Sequence, residues 1–378
     1  MKKKILIVAH SSSSLITYRG ALIQALALKN EVYIFTPKIL NNDTRSQLIN
    51  WGVIVYETSL KGGIISLFSD IKYIVDLYKI IKKISPDIVF PYAFKPVIYG
   101  GAVAAYCKIP TIAPMLTGLG NTFVENDSKK VVKKITRNLL RFTLNSKKGI
   151  KVILHNSDDR ETLINYHIIG NGCTTFVVNG SGVDLQHFGY SAPDKTKISF
   201  LMIARLINAK GIREYYEAAV IIRKLYPQAR FKLVGGYDAN VDCIDKKLFE
   251  TISSGDVVEY VGEVSDVRPM ISDCSVVVLP SYREGLPKSV LEGMAMGRAI
   301  ITTEAFGCRE TVTQREGFQN GFLVPVKNVP MLVSKMEYFL KNEEEVVRFG
   351  LNGRKYAEER FDVHLINRQM LQILGVEE

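Results

Sequence analysis

The sequence predicts an α/β protein with two doubly wound parallel-sheet domains, and three observations carry that expectation. Short apolar runs recur with helical patterns between them, a glycine-bearing segment splits them into two series, and 378 residues at 47% hydrophobic content exceed one ordinary core. The first series is residues 5–9, 32–35, 53–56, 88–91, 111–114, 152–155 and 176–178. The second is residues 198–203, 231–234, 257–261, 276–279, 299–302 and 321–324. Between them, residues 179–197 hold Gly180, Gly182, Gly189 and Pro193, which reads as a connection. The expected division is a first domain at 1–180, a linker at 181–196, a second domain at 197–361 and a last helix at 362–378. Parallel sheets take ligands at the C-terminal ends of their strands, so the two domains are expected to face each other across a cleft.

Charge separates the halves. Residues 1–190 hold 24 Lys and Arg against 12 Asp and Glu, whereas residues 191–378 hold 25 against 26. A positive first half fits an anionic partner, whether lipid surface, lipid diphosphate or nucleic acid. Much of the excess sits at residues 129–148, where Lys129, Lys130, Lys133, Lys134, Arg137 and Arg141 alternate with Val131, Val132, Ile135, Leu139 and Phe142, and Lys147 and Lys148 follow. A basic amphipathic helix of this kind reads as a contact with an anionic membrane surface, or else as a core helix with a solvated basic face. No zinc knuckle, helix-turn-helix or RNP-like strand accompanies the charge, which disfavours nucleic acid. The five cysteines form no C-x-x-C pair, which suits a reduced, cytoplasmic setting. The opening apolar run of five residues is too short for a signal peptide, and the eleven apolar or glycine residues at 97–107 are too few to span a bilayer.

The chemistry concentrates at residues 281–321. An apolar run at 276–279 ends at Pro280, a loop carrying Glu284, Gly285, Leu286 and Pro287 follows, and a helix is expected from Lys288 to Met296 with Glu292 on its flank. Strand, glycine loop and helix N-terminus present free backbone N–H groups to a phosphorylated ligand. Two carboxylates eight residues apart can each accept from a pair of hydroxyls, as on a sugar and a ribose. Upstream, Arg205 follows one strand and Lys210-Gly211 opens the next helix, so both cations fall at one strand-to-helix crossing where they can neutralise a departing phosphate. The chain contains no D-x-D, the usual carrier of a catalytic metal in such transfers, and no metal or other cofactor is expected. Gly235-Gly236 after a strand lets backbone approach a nucleotide. The absence of G-x-G-x-x-G after the first strand argues against a nicotinamide oxidoreductase.

The E-x7-E block, with Ala204-Arg205-Leu206 and Lys210-Gly211, resembles the retaining family 4 glycosyltransferases of GT-B fold. The likeness is dense from Leu201 to Pro325 and thin before that. It implies transfer of a sugar from a nucleotide-sugar held by the second domain, with Arg205 and Lys210 on the diphosphate, Glu284 and the backbone of Gly285 and Leu286 on the sugar, Glu292 on the ribose and Val264 at the base. The stretches LMIAR, KGIREYYEA, LVGGYD, SSGDVVEYVG and GCRE, with Ser14 to Arg19 near the start, are similar to the branch that extends sugars on undecaprenyl diphosphate. That branch implies a UDP-linked N-acetylhexosamine donor, a polyprenyl-diphosphate-linked acceptor and a place at the inner face of the cytoplasmic membrane. Arg19, Lys95 and the loop of Gly118 and Gly120 are the acceptor-side candidates. Relatives often carry a histidine near the transferred sugar, where this chain reads Phe90-Pro91-Tyr92-Ala93-Phe94-Lys95-Pro96. A front-face reaction, in which the leaving phosphate takes the acceptor proton, needs no such base. His10 after the first strand could line the cleft or serve as a strand cap. A sugar-nucleotide epimerase or phosphorylase of the same fold is the alternative enzyme reading.

Overall fold

The computed structural model describes residues 2–58, 67–123, 130–170, 172–194, 197–237 and 242–377. They form two compact units, Met1–Ser181 with Ile366–Glu378 and Gly182–Leu365.

The first unit runs β1 (Lys4–Val8), α1 (Ser13–Ala27), β2 (Glu31–Pro37), α2 (Asn42–Asn50), β3 (Ile54–Thr58), α3 (Leu67–Ile84), β4 (Ile88–Pro91) and α4 (Phe94–Tyr106). It continues through β5 (Thr111–Ile112), β6 (Met115–Leu116), α5 (Lys130–Leu144), β7 (Ile150–Leu154), α6 (Ser157–Asn165) and β8 (Cys173–Val177). Its main sheet has the order β3-β2-β1-β4-β5 and every pairing is parallel. The central strand shows why. Leu6 and Val8 point into a core shared with α3, α4 and α5, while Ile5 and Ile7 point into a second core with α1, so both faces are buried and the strand reads as one apolar run. The run at 111–114, expected as one strand, is strand only at Thr111–Ile112, and β6 begins just beyond it at Met115. Ala113 N donates to Val89 O of the main sheet, whereas Pro114 O accepts from Ile153 N, so the chain steps there into a second parallel sheet, β6-β7-β8.

The second unit comprises β9 (Ser199–Ile203), α7 (Ile212–Leu225), β10 (Arg230–Val234), α8 (Lys246–Ser253), β11 (Glu259–Gly262), α9 (Arg268–Ser272) and β12 (Val276–Leu279). Then come α10 (Lys288–Ala295), β13 (Ala299–Thr303), β14 (Gly321–Val324), α11 (Val329–Lys341) and α12 (Glu343–Arg360). The sheet is parallel throughout, in the order β11-β10-β9-β12-β13-β14.

The last helix, α13 (Val363–Leu374), belongs to the first unit from Ile366 onward. Ile366, Met370, Ile373 and Leu374 share a core with Ile5 and Ile7, and Lys151 Nζ donates to Ile373 O at 2.5 Å. Among the described residues, no helix is long and apolar enough to cross a membrane. Because Met370 is 1% exposed, Met370→Ala should destabilise the first unit by about 2–5 kcal/mol. A lower urea midpoint at unchanged slope is the expected signature.

Candidate active site

In the second unit the strand order reverses between β9 and β12, and the connections leaving these two strands run to opposite sides. That is where an open parallel sheet has room for a ligand. The connection after β9 carries Arg205, a short 3-10 turn at Asn208–Lys210, and Gly211 in the left-handed region, so α7 starts at Ile212 rather than at Lys210. Arg205 is exposed and has no partner among the described residues. Lys210 is half-buried and pairs with the Glu284 carboxylate, which arrives on the loop after β12. An ammonium and a carboxylate withdrawn from water together each offset the other's lost hydration. Sequence reasoning gave these two residues separate partners, and the structure joins them.

The Glu284 loop is tied down from three sides. Tyr282 N and Ser281 Oγ both donate to Ala209 O, at 2.8 and 3.0 Å, which binds the loop to the Lys210 turn. The Tyr282 hydroxyl donates to Glu214 Oε1 at 2.6 Å, one helical turn beyond Lys210. From the side of β13, Thr303 Oγ1 donates to Ser281 O and Glu284 N donates to Phe306 O at 2.9 Å. Gly307, at φ +75°, then crosses so closely that a Cβ would lie 2.4 Å from Glu284 O and 2.5 Å from Gly285 O. No other residue fits there. The guanidinium groups of Arg283 and Arg309 stand 4.9 and 5.2 Å from the ring centre of Phe306. Glu214, Tyr282, Phe306 and Gly307 were missed from sequence; the only available signal was Glu214 standing four residues after Lys210 on a helix.

Glu292, on α10, is 8% exposed, with Lys288 Nζ 3.7 Å away. Burial pushes its carboxyl up to about 7, and Lys288 opposes that only in part. Leu286 packs against the core, as does Val264 beyond β11. Gly235 has a structural reason of its own, since a Cβ there would lie 1.9 Å from Ala204 O where β9 and β10 end side by side. Cys308 is fully buried, and burial, with Glu284 nearby, raises its thiol to about 12.

In the first unit the C-terminal ends of β1, β4 and β7 gather a second polar group. Arg19, midway along α1, is turned away from solvent. It is 4% exposed, donates from Nη2 to Met115 Sδ at 2.8 Å, lies 3.3 Å from His155 Nε2 and 5.5 Å from the Tyr92 ring centre, and leaves Nε without a partner. Burial lowers its pKa to about 10, so it stays charged, and lowers His155 to about 3, so that ring stays neutral. The Tyr92 hydroxyl meets Ser14 Oγ at 2.9 Å, and burial raises it to about 12. Phe94 packs into the core at the start of α4. Lys95 Nζ donates to Asp70 at 3.0 Å, an acid that Tyr99 also binds. His10 leaves Nδ1 buried without a partner, and burial, then Lys95, lowers its pKa. Gly118 and Gly120 both take positive φ before a 3-10 turn at Gly120–Phe123.

These two Rossmann-like units have known counterparts. The family model "Glycosyl transferase 4-like" matches residues 4–156 and "Glycosyl transferases group 1" matches residues 185–356. The chain therefore belongs to the GT-B glycosyltransferases of the family 4 type. It is 29% identical to the N,N'-diacetylbacillosaminyl-diphospho-undecaprenol alpha-1,3-N-acetylgalactosaminyltransferase of Campylobacter jejuni, over 97% of this chain and 96% of that one. It is 27% identical to an Escherichia coli UDP-Gal:alpha-D-GlcNAc-diphosphoundecaprenol alpha-1,3-galactosyltransferase, over 72% and 71%. In fold it matches the sucrose-phosphate synthase of Thermosynechococcus elongatus with a TM-score of 0.78 at 19% identity, over 98% of both chains. It matches Anabaena HepE in complex with UDP and glucose at 0.76 and 17%, over 99% of this chain and 100% of that one.

The buried carboxyl of Glu292 has a consequence for stability. Its folded pKa of about 7 lies above the ordinary value of 4.5, so the fold favours the neutral acid. That contribution is fully present below the unfolded value and is lost as pH rises through about 7, at a cost of about 3 kcal/mol at most. Without ligand, unfolding of the second unit should grow easier from pH 5 to about 8. Glu292→Gln should flatten that trend in urea titrations; an unchanged slope with pH would mean the carboxyl is not held neutral.

Proposed function

We propose that this chain is a retaining, metal-independent glycosyltransferase that moves an N-acetylhexosamine from a UDP-sugar to a polyprenyl-diphosphate-linked saccharide in bacterial glycan assembly. The observation that carries the reading is the Lys210–Glu284 pair at the reversal of the second sheet, with exposed Arg205 beside it in sequence and Glu292 on the following helix. Without donor, Glu284 keeps Lys210 compensated. With donor bound, Lys210 and Arg205 meet the diphosphate and neutralise the charge that grows as the sugar–phosphate bond breaks. Glu284 and the backbone of Gly285 and Leu286 hold the sugar, Glu292 accepts from the ribose hydroxyls, and Gly235 and Val264 border the nucleotide. The leaving phosphate takes the proton of the attacking hydroxyl on the same face, so no protein base is needed.

The acceptor reading rests on the first unit. Buried Arg19 supplies positive charge behind its strand ends, Lys95 would have to leave Asp70 to join it, and Gly118 and Gly120 offer backbone N–H groups to a diphosphate. The relatives named for undecaprenyl-diphosphate-linked substrates support that acceptor class. Lys129 lies outside the described residues, but α5 from Lys130 onward turns Val131, Ile135 and Phe142 to solvent, 71%, 45% and 68% exposed, while Leu140, Thr143 and Leu144 face inward. Its cations beside an outward apolar stripe suit the anionic inner surface of the cytoplasmic membrane, and nucleic acid has no place in this reading.

Lys210→Ala should lower kcat by roughly 100- to 1000-fold, and a chelator should leave the parent's activity intact. An absolute need for manganese or magnesium in transfer assays would overturn the electrostatic assignment. Replacing Lys130, Lys133 and Lys134 by Glu should release the protein from vesicles containing phosphatidylglycerol and slow transfer to long-chain acceptors, while transfer to a short soluble analogue survives. Equal sedimentation of variant and parent at low salt would remove α5 from the membrane contact.

A further inference from the structure

A second helix of the first unit has an outer face that none of that unit's described residues covers. On α3, Ile71, Val75 and Tyr78 are 53%, 43% and 37% exposed. At 100° per residue they fall on one stripe, which Lys82 continues, with exposed Lys72, Lys79 and Lys83 alongside. The inner side of the same helix is complete without them, since Tyr73, Leu77, Ile81 and Ile84 are all buried in the core. Tyr106, 77% exposed at the end of α4, widens the patch, with its ring centre 6.0 Å from that of Tyr78. Lys108 follows it, also exposed. The Lys82 ammonium stands 5.9 Å from the Tyr78 ring centre, its stem along the aromatic surface. Acidic groups on α3 do not balance these cations. Asp70 is turned inward to Lys95 and Tyr99, and Asp76 is half-buried.

We propose that the outer face of α3, together with Tyr106, docks on an anionic phospholipid bilayer, as a contact separate from α5. Charge decides the occupant. A second copy related by a two-fold axis would set the same lysines against each other, whereas an anionic bilayer attracts all of them. The bilayer also takes up the rest of the patch, with Ile71 and Val75 at the acyl boundary and the two tyrosines at headgroup level. The proposal rests on the reading of this chain as one that acts at a membrane surface, and the two helices separate the outcomes.

The full chain is sedimented at low salt with vesicles of phosphatidylglycerol in phosphatidylcholine, and with phosphatidylcholine alone. The variant carrying Lys72→Glu, Lys79→Glu, Lys82→Glu and Lys83→Glu should lose about tenfold or more of its affinity for the anionic vesicles. Its transfer to a soluble acceptor analogue should stay unchanged. In a separate Tyr78→Trp variant, emission should be quenched by brominated acyl chains beyond the quenching of the native Trp51, a readout that survives if the charge-reversed variant misfolds. Release by the α3 variant with none by the α5 variant supports this face and sinks the α5 reading. Parent-like sedimentation of the α3 variant, with no quenching in Tyr78→Trp beyond that of the parent, overturns this face, whatever α5 does. A parent that self-associates without vesicles, and becomes monomeric in the α3 variant by ultracentrifugation, assigns the face to a second copy and overturns the proposal.

Discussion

The ligand end of the second unit depends on holding Lys210 and Glu284 together. Neither residue is on a strand, and each sits on a connection that would wander without a reason to stay. The reason begins in the sheet, where β9 and β12 pair in parallel over Phe200–Val276 and Leu201–Val277 and then leave in opposite directions. That divergence opens a place for two connections to meet. Once the ammonium and carboxylate are half-buried there, with side chains 21% and 12% exposed, parting them would leave an uncompensated charge in poor solvent. The neutral contacts serve the pair. Ala209 O, Phe306 O and the Gly307 crossing fix the backbone on either side of Glu284, and Glu214 anchors the tyrosine two residues before it.

The same arrangement explains what the sequence disclosed. A strand buried on both faces appears as an unbroken apolar run, so residues 276–279 coincide with β12, and the run at 321–324 coincides with the edge strand β14. Arg205, Lys210, Glu284 and Glu292 stood out because charged residues in a fixed spacing follow two of the apolar runs. The misreadings share one cause, since they concern what a residue meets far along the chain. An apolar run cannot show that Ala113 bonds to Val89 while Pro114 bonds to Ile153, so residues 111–114 read as one strand although β5 ends at Ile112. An arginine within a helix gives no sign by itself that it will turn inward to Met115 and His155. The pair Gly235-Gly236, read as room for a nucleotide, gives no sign that Ala204 O of the neighbouring chain segment also requires Gly235.

The charge asymmetry gains a physical location from the fold. In the first unit, α4 packs against both α3 and α5. Both flanking helices show cations and apolar side chains outward at once, a combination that solvation alone does not favour. A helix that only shields a core needs one apolar stripe, and on α3 that stripe is already filled by Tyr73, Leu77, Ile81 and Ile84. The outward residues of α3 are therefore surplus to folding. In the second unit lysines meet acids instead, as Lys232 does with Glu259 and Asp273 and Lys341 with Glu337, which leaves little net field. One unit thus balances its cations with acids, while the other carries an excess of them on its surface. That division suits an enzyme whose donor arrives from water and whose acceptor remains anchored in lipid, because only the acceptor side has to find a charged surface.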